Sequence, residues 1–189
     1  MAKVFWKPGN MLYPAPAVMV SCMDESGRAN IMTAAWAGNV SSDPVTLSVS
    51  IRPERYSYDI IEKTGEFVVN LTTRKLAYAT DFCGVRSGRD VDKFEVLHLT
   101  KSPSVKIKAP GIAESPVSIE CRVTEHKRLG VHEMFLAEVV GVDIDDQYLD
   151  ESGRFDLEKA DLIAYSHGEY FALGEKLGKF GFSVRKSTR

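Results

Sequence analysis

The chain is poor in the features that most directly betray a function. Only three of its 189 residues are cysteines, Cys22, Cys83 and Cys121. Their number is odd, they lie far apart, and no Cys-x-x-Cys pair occurs, so neither a disulfide framework nor a metal site is expected. Three free thiols fit a reducing cytoplasm. No apolar run reaches the length that crosses a bilayer. None follows Lys3 and Lys7 in the manner of a secretory signal. Charge of one sign is also lacking: the formal net charge is -2, so no global basic field draws nucleic acid or an anionic membrane. There is no Gly-x-Gly-x-x-Gly fingerprint and no P-loop, which leaves a Rossmann-type site unsupported. Internal repeats and low-complexity segments are absent as well.

Alternation is what the sequence has in quantity. In Val45-Thr46-Leu47-Ser48-Val49-Ser50-Ile51-Arg52 every second residue is apolar, the period of a strand with one buried face. Phe67, Val69 and Leu71 repeat the pattern, as do Val117, Ile119, Cys121 and Val123. Residues 133–145 predict a longer, more deeply buried strand. Asp24-Glu25-Ser26-Gly27 divides the apolar stretch 15–23 from Asn30–Gly38, which predicts a hairpin. His126 to Gly130 is expected to turn the chain between the strands at 117–125 and 133–145, and Asp150-Glu151-Ser152-Gly153 is a further turn.

Two short helices interrupt this pattern. One is predicted over Tyr56 to Thr64, with Gly65 as its C-cap and Pro53 at its first turn. The other is predicted from Arg74 to Cys83, with Thr73 as N-cap and Gly84 as its stop. Region 84–116 is loop-rich, and a loop of that length inside a compact domain is more often functional than decorative. The reading is a single domain over 1–189, mostly β, an antiparallel barrel whose closed sheet has no edges. Residues 174–189 form a basic, glycine-punctuated C-terminal extension.

Three segments carry groups suited to chemistry. In Asn30-Ile31-Met32-Thr33-Ala34-Ala35-Trp36, small residues sit beside hydroxyl and amide groups, so a flat ligand can approach the backbone. Composition alone leaves a tight packing contact as the other reading. The stretch Ser50 to Ser57 leaves a strand for a helix and supplies hydroxyls, Arg52, Arg55 and a helix N-terminus, a suitable seat for phosphate. A solvated strand end is the alternative. The loop from Cys83 through Ser87 to Lys93 and Phe94 offers a cation beside a ring, or else a surface Asp92–Lys93 pair. His132 opens an apolar strand at a rim, where it can meet a ligand or simply end the strand. Cys22 and Cys121 read as small apolar residues within strands.

Taken in order, these segments resemble the flavin reductase-like family of FMN-binding split β-barrels, and its flavoredoxin branch in particular. The resemblance is carried by Tyr13-Pro14-Ala15-Pro16, Asn30 to Trp36, Ser48-Val49-Ser50-Ile51-Arg52, Phe67-Val68-Val69-Asn70-Leu71, Ser87-Gly88-Arg89-Asp90-Val91-Asp92-Lys93-Phe94, Gly130-Val131-His132 and Leu173 to Gly178. It implies an FMN-binding split β-barrel with short peripheral helices, forming a homodimer with one FMN per subunit. The isoalloxazine would contact Asn30, Met32, Thr33, Ala34, Ala35 and Trp36, and the phosphate end would lie near Ser50, Arg52 and Ser57. Cys83, Ser87, Lys93 and Phe94 would cover the flavin, and His132 would act in turnover. It further implies an oxidoreductase passing electrons from NAD(P)H through FMN to an acceptor. The competing reading is an electron carrier reduced by a protein partner, with no nucleic acid and no membrane involved in either.

Overall fold

The computed structural model describes residues 1–184. Residues 185–189 of the basic extension, with Arg185, Lys186 and Arg189, lie outside the described residues.

Alternating apolar residues build the sheet. Strands β1 (Ala15–Pro16), β2 (Val18–Met23) and β3 (Ala29–Ala34) are followed by β4 (Ala37–Ser42) and β5 (Val45–Ile51). Helix α1 (Tyr56–Thr64), strand β6 (Glu66–Leu71), helices α2 (Ala77–Val85) and α3 (Lys93–Val96) come next. The remaining strands are β7 (Lys101–Ser102), β8 (Gly111–Ile112), β9 (Val117–Leu129), β10 (His132–Ile144), β11 (Ile163–Ser166) and β12 (Glu169–Ala172). Seven strands form one antiparallel sheet in the order β3-β2-β6-β9-β10-β5-β4. Strands β1, β11 and β12 form a smaller sheet beside it.

The inward-facing set of the alternation, including Val20, Val49, Ile51, Phe67, Cys121 and Phe135, makes the main core together with Ile60 and Ile61 of α1. Phe67 and Phe135 are wholly buried, which is worth about 1.5–3 kcal/mol each. A second core packs Met19 and Ile31 of β2 and β3 against Leu76, Ala79, Cys83 and Phe94. Asn70, on the opposite face of β6, is buried and fully used. Its amide donates to the Met19 carbonyl and Ser21 Oγ, and its Oδ1 accepts from Ile112 N–H and Ser118 Oγ.

Several sequence expectations need correction. The sheet is not closed: β3 and β4 are its two edges. The predicted strand Asn30–Gly38 breaks at Ala35–Trp36, where the chain crosses from one edge to the other and Ser50 N–H bonds the Trp36 carbonyl at 2.8 Å. Strand β3 still lies against β5, so the sheet curls without sealing. The turn placed at 126–130 is strand: β9 runs to Leu129 with His126 opposite Phe135, and the chain reverses only at Gly130–Val131. Charged residues there suggested a turn, but pairing with β10 keeps them extended. Arg74–Leu76 is a 3-10 turn capped by Thr73, and α2 runs through Gly84 to Val85. Gly84 therefore does not terminate the helix, and a Cβ there would make ordinary contact with Thr33 Cβ at 3.4 Å. Pro53 precedes the N-cap Arg55 and stands outside α1.

Candidate functional site

Strand β3 lays out the site along its length. At one end Asn30 is buried and donates through Nδ2 to Ser57 Oγ at 2.8 Å, which joins β3 to the first turn of α1. Further on, Thr33 Oγ1 donates to the Thr80 carbonyl of α2 at 2.5 Å. At the far end Trp36 meets Tyr13, with ring centroids 6.2 Å apart. Between these points lies a cavity of about 580 Å³, within the size range of small-ligand sites.

The outer edge of β3 has no strand partner, and Lys93 replaces one. Only 3% exposed, its Nζ donates to the Ile31 carbonyl at 2.6 Å and the Cys83 carbonyl at 2.9 Å. The second acceptor belongs to the last turn of α2, where a cation is favoured by the helix dipole. Burial pushes the Lys93 ammonium below its ordinary pKa, and the charge of Arg55 adds to that effect.

The loop after α2 closes over the Asn30 end. A Cβ on Gly88 would lie 1.9 Å from Asn30 Oδ1 and 2.8 Å from the Tyr56 ring, so only glycine passes there. Arg28 Nη2 donates to the Gly88 carbonyl at 2.7 Å, and Arg89 reaches the Glu54 carbonyl and the Asp59 carboxylate. Both guanidinium groups lie just over 5 Å from the Tyr56 ring centre, within cation–π range.

The Asn30 end is cationic. Arg55, half-buried at the N-cap of α1, has no carboxylate partner among the described residues. The first bonded helical N–H is that of Tyr58, on the Arg55 carbonyl, so the preceding N–H groups of Tyr56 and Ser57, residues that line the cavity, keep no backbone partner. A helix N-terminus in that state attracts an anion. Arg52, by contrast, is mostly exposed and pairs with Glu54 at 3.7 Å. His132 lies at the rim, where burial and then the Arg52 charge lower its pKa, so the imidazole is neutral at pH 7.

Of the residues singled out from sequence, Asn30, Met32, Thr33, Ala34, Ala35, Trp36, Ser50, Arg52, Ser57, Ser87, Lys93 and His132 line this one cavity. Cys83 and Phe94 do not: both are buried in the core behind the β3 wall. Burial pushes the Cys83 thiol up to about 11, which leaves it protonated. The sequence reading passed over Tyr56, Arg86 and Tyr165, which also line the cavity. Tyr56 was legible only as one apolar position of a helix. Tyr165 arrives through pairing of β11 with β1, for which no local signal exists.

Comparison with known proteins bears on the family and the fold. Residues 10–174 match the family model of the flavin reductase like domain. The flavoredoxin of Desulfovibrio vulgaris (Miyazaki F) is 32% identical, with a TM-score of 0.90 over 97% of this chain and 100% of that one. The flavoredoxin from Methanosarcina acetivorans is 27% identical, with a TM-score of 0.87 over 98% of this chain and 100% of that one. An uncharacterised protein of Archaeoglobus fulgidus is 34% identical over 160 residues, 85% of this chain and 88% of the relative. The mostly β fold with few short helices is that of the flavin reductase-like split barrels. The chain belongs to the flavin reductase-like family.

Proposed function

We propose that the chain binds FMN in the β3 cavity and acts as an oxidoreductase, taking electrons from NAD(P)H and passing them to an acceptor. The observation that carries this reading is the polarity of the cavity. One end holds Arg55 and the open first turn of α1, and the other end is walled by Thr33, Ala34, Ala35 and Trp36. A dianionic phosphate suits the first end and a flat ring the second. The residues present therefore fit the cofactor, and Arg55 is a better phosphate partner than the exposed, paired Arg52. Bound FMN supplies the hydride and electron chemistry. Around it, Lys93 holds a fixed cation, the Gly88 loop excludes water, and neutral His132 offers a hydrogen bond at the rim. Three buried free thiols, Cys22, Cys83 and Cys121, support a reducing cytoplasm.

A second reading is supported by the two flavoredoxins among the similar structures: an FMN electron carrier reduced by a protein partner. Anaerobic stopped-flow with NADH and NADPH separates the two. Rapid bleaching of the flavin supports the oxidoreductase, and no bleaching with either nucleotide supports the carrier. In the oxidoreductase His132→Ala should slow bleaching while FMN stays bound, and loss of FMN with unchanged reduction per bound flavin would reverse that role. A colourless preparation that fails to bind added FMN would remove both readings.

A further inference from the structure

A series of aromatic rings leads away from the cavity. Trp36 and Tyr165 line it. The Tyr13 ring lies 6.2 Å from Trp36 and 6.0 Å from Tyr165, and Tyr165 meets Tyr170 edge-on at 5.8 Å. Register fixes the last contact. Tyr165 and Tyr170 are opposite one another on β11 and β12, joined by a turn at His167 and Gly168 with φ of 51° and 92°, the positive values that the tightest hairpins require. Pairing of Ala15 with Tyr165 draws Tyr13 alongside. All four rings are half-buried.

The far end of the series differs from the rest. The Tyr170 phenol is pushed up to about 12 by burial and then by the charge of Asp81, a carboxylate on the exposed side of α2. Indole and phenol are the protein rings that give up an electron most readily, and tunnelling is fastest between rings in contact. A phenol loses an electron easily only if its proton can leave as well. An electron vacancy therefore settles where a base stands beside the hydroxyl, and Tyr170 has one in Asp81.

We propose that Trp36, Tyr13, Tyr165 and Tyr170 form a relay that carries an oxidising equivalent out of the cavity to the Asp81 side of α2. The oxidant is an oxygen-centred radical, formed where a reduced cofactor meets dioxygen; only this source rests on the flavin reading. The radical takes one electron from the Trp36 indole and becomes an anion. Tyr170 gives one electron through Tyr165 and Tyr13, which restores Trp36, and its phenol proton passes to the Asp81 carboxylate. A thiol in solvent then reduces the Tyr170 phenoxyl by one electron and loses its own proton to water, while Asp81 returns the phenol proton. The cavity is thereby spared oxidation of its own wall.

The test supplies the oxidant from outside. Azide radical made by pulse radiolysis oxidises tryptophan in preference to tyrosine. The chain has two tryptophans, so Trp6→Phe leaves Trp36 as the sole indole. In that full-length protein the tryptophanyl absorbance should decay at a rate independent of protein concentration, while a tyrosyl absorbance rises in matching yield. Tyr13→Phe in the same background should lose this phase. A second measurement does not depend on that variant: a nitroso spin trap followed by peptide mapping should place the adduct on Tyr170, and Asp81→Asn should lose it. Decay that depends on protein concentration, an intact phase in Tyr13→Phe, an adduct on other tyrosines, or an Asp81→Asn protein that keeps the Tyr170 adduct would each overturn the relay. Flavin content is measured separately on the same preparation. A relay found in protein that takes up no FMN would stand and count against the FMN reading alone, and a relay missing from protein that holds FMN would fail by itself.

Discussion

Lys93 has three N–H donors, and two are committed to the Ile31 and Cys83 carbonyls. The residue also lines the cavity. Two separable effects follow. Lys93→Met leaves two buried carbonyls without a partner, and urea unfolding should show a loss of about 2–4 kcal/mol. It also removes a cation beside a ring that gains negative charge on reduction. With FMN bound, the midpoint should move negative by about 30 mV for each 1.4 kcal/mol lost. An unchanged spectroelectrochemical midpoint would take Lys93 away from the ring. A second residue governs pH dependence. Glu133 bonds the His126 ring and accepts from Tyr58 Oη at 2.8 Å, and these contacts, His126 first, hold its carboxyl below the ordinary 4.5. Its folded pKa is depressed, so its contribution is present above that ordinary value and is lost as pH falls through the folded one. The stability advantage of wild type over Glu133→Gln, followed by urea unfolding, should therefore shrink as pH falls below about 4.5. A gap that stays constant from pH 7 to pH 3 would exclude this role.

At the scale of elements, helix α1 carries the anion site proposed for the phosphate. Arg55→Ala should weaken FMN by about 1.5–3 kcal/mol, the range for hydrogen bonds to charged groups, and leave riboflavin nearly unchanged. Arg52→Ala should change the gap between the two ligands less, because Arg52 is largely solvated and paired. If neither substitution narrows the gap in calorimetric titrations, the phosphate lies elsewhere. This element was well legible in the sequence: Tyr56 to Thr64 and the Gly65 cap are found where the periodicity put them. What stayed open was which arginine faces inward, since Arg52 and Arg55 differ only in the turn of backbone that precedes the helix. The hairpin of β2 and β3 was legible from the apolar stretch 15–23 and the Asp24–Gly27 turn. The crossing at Ala35–Trp36 was not, because small residues continue a strand pattern as readily as they break it. Cys83 and Phe94 were misplaced for a related reason. Adjacency in sequence to Lys93 and Ser87 does not say which side of the β3 wall a side chain takes.

At the scale of the whole molecule, apolar side chains at both ends of the described chain stand in water. Phe5 and Trp6 near one end, and Leu177, Phe180 and Val184 near the other, are largely exposed. A second copy of the chain would cover such surface. Sedimentation equilibrium at micromolar concentration should give a dimer mass, and a monomer mass with FMN bound would exclude it. The order of segments along the whole chain, rather than any one of them, made the family legible, because each motif alone has an ordinary structural explanation. The openness of the sheet was not legible, since alternation reports which face is buried and says nothing about whether the last strand meets the first. That openness has a consequence. The cavity is lined by β3 through Asn30, Met32, Thr33 and Ala34, by β5 through Ser50 and by β10 through His132, so it straddles the gap between the curled ends of the sheet. A ligand held there would act as the missing stave of a barrel. The sheet is a cask with a slit along its side, and a ligand filling the slit would also hoop the two ends together.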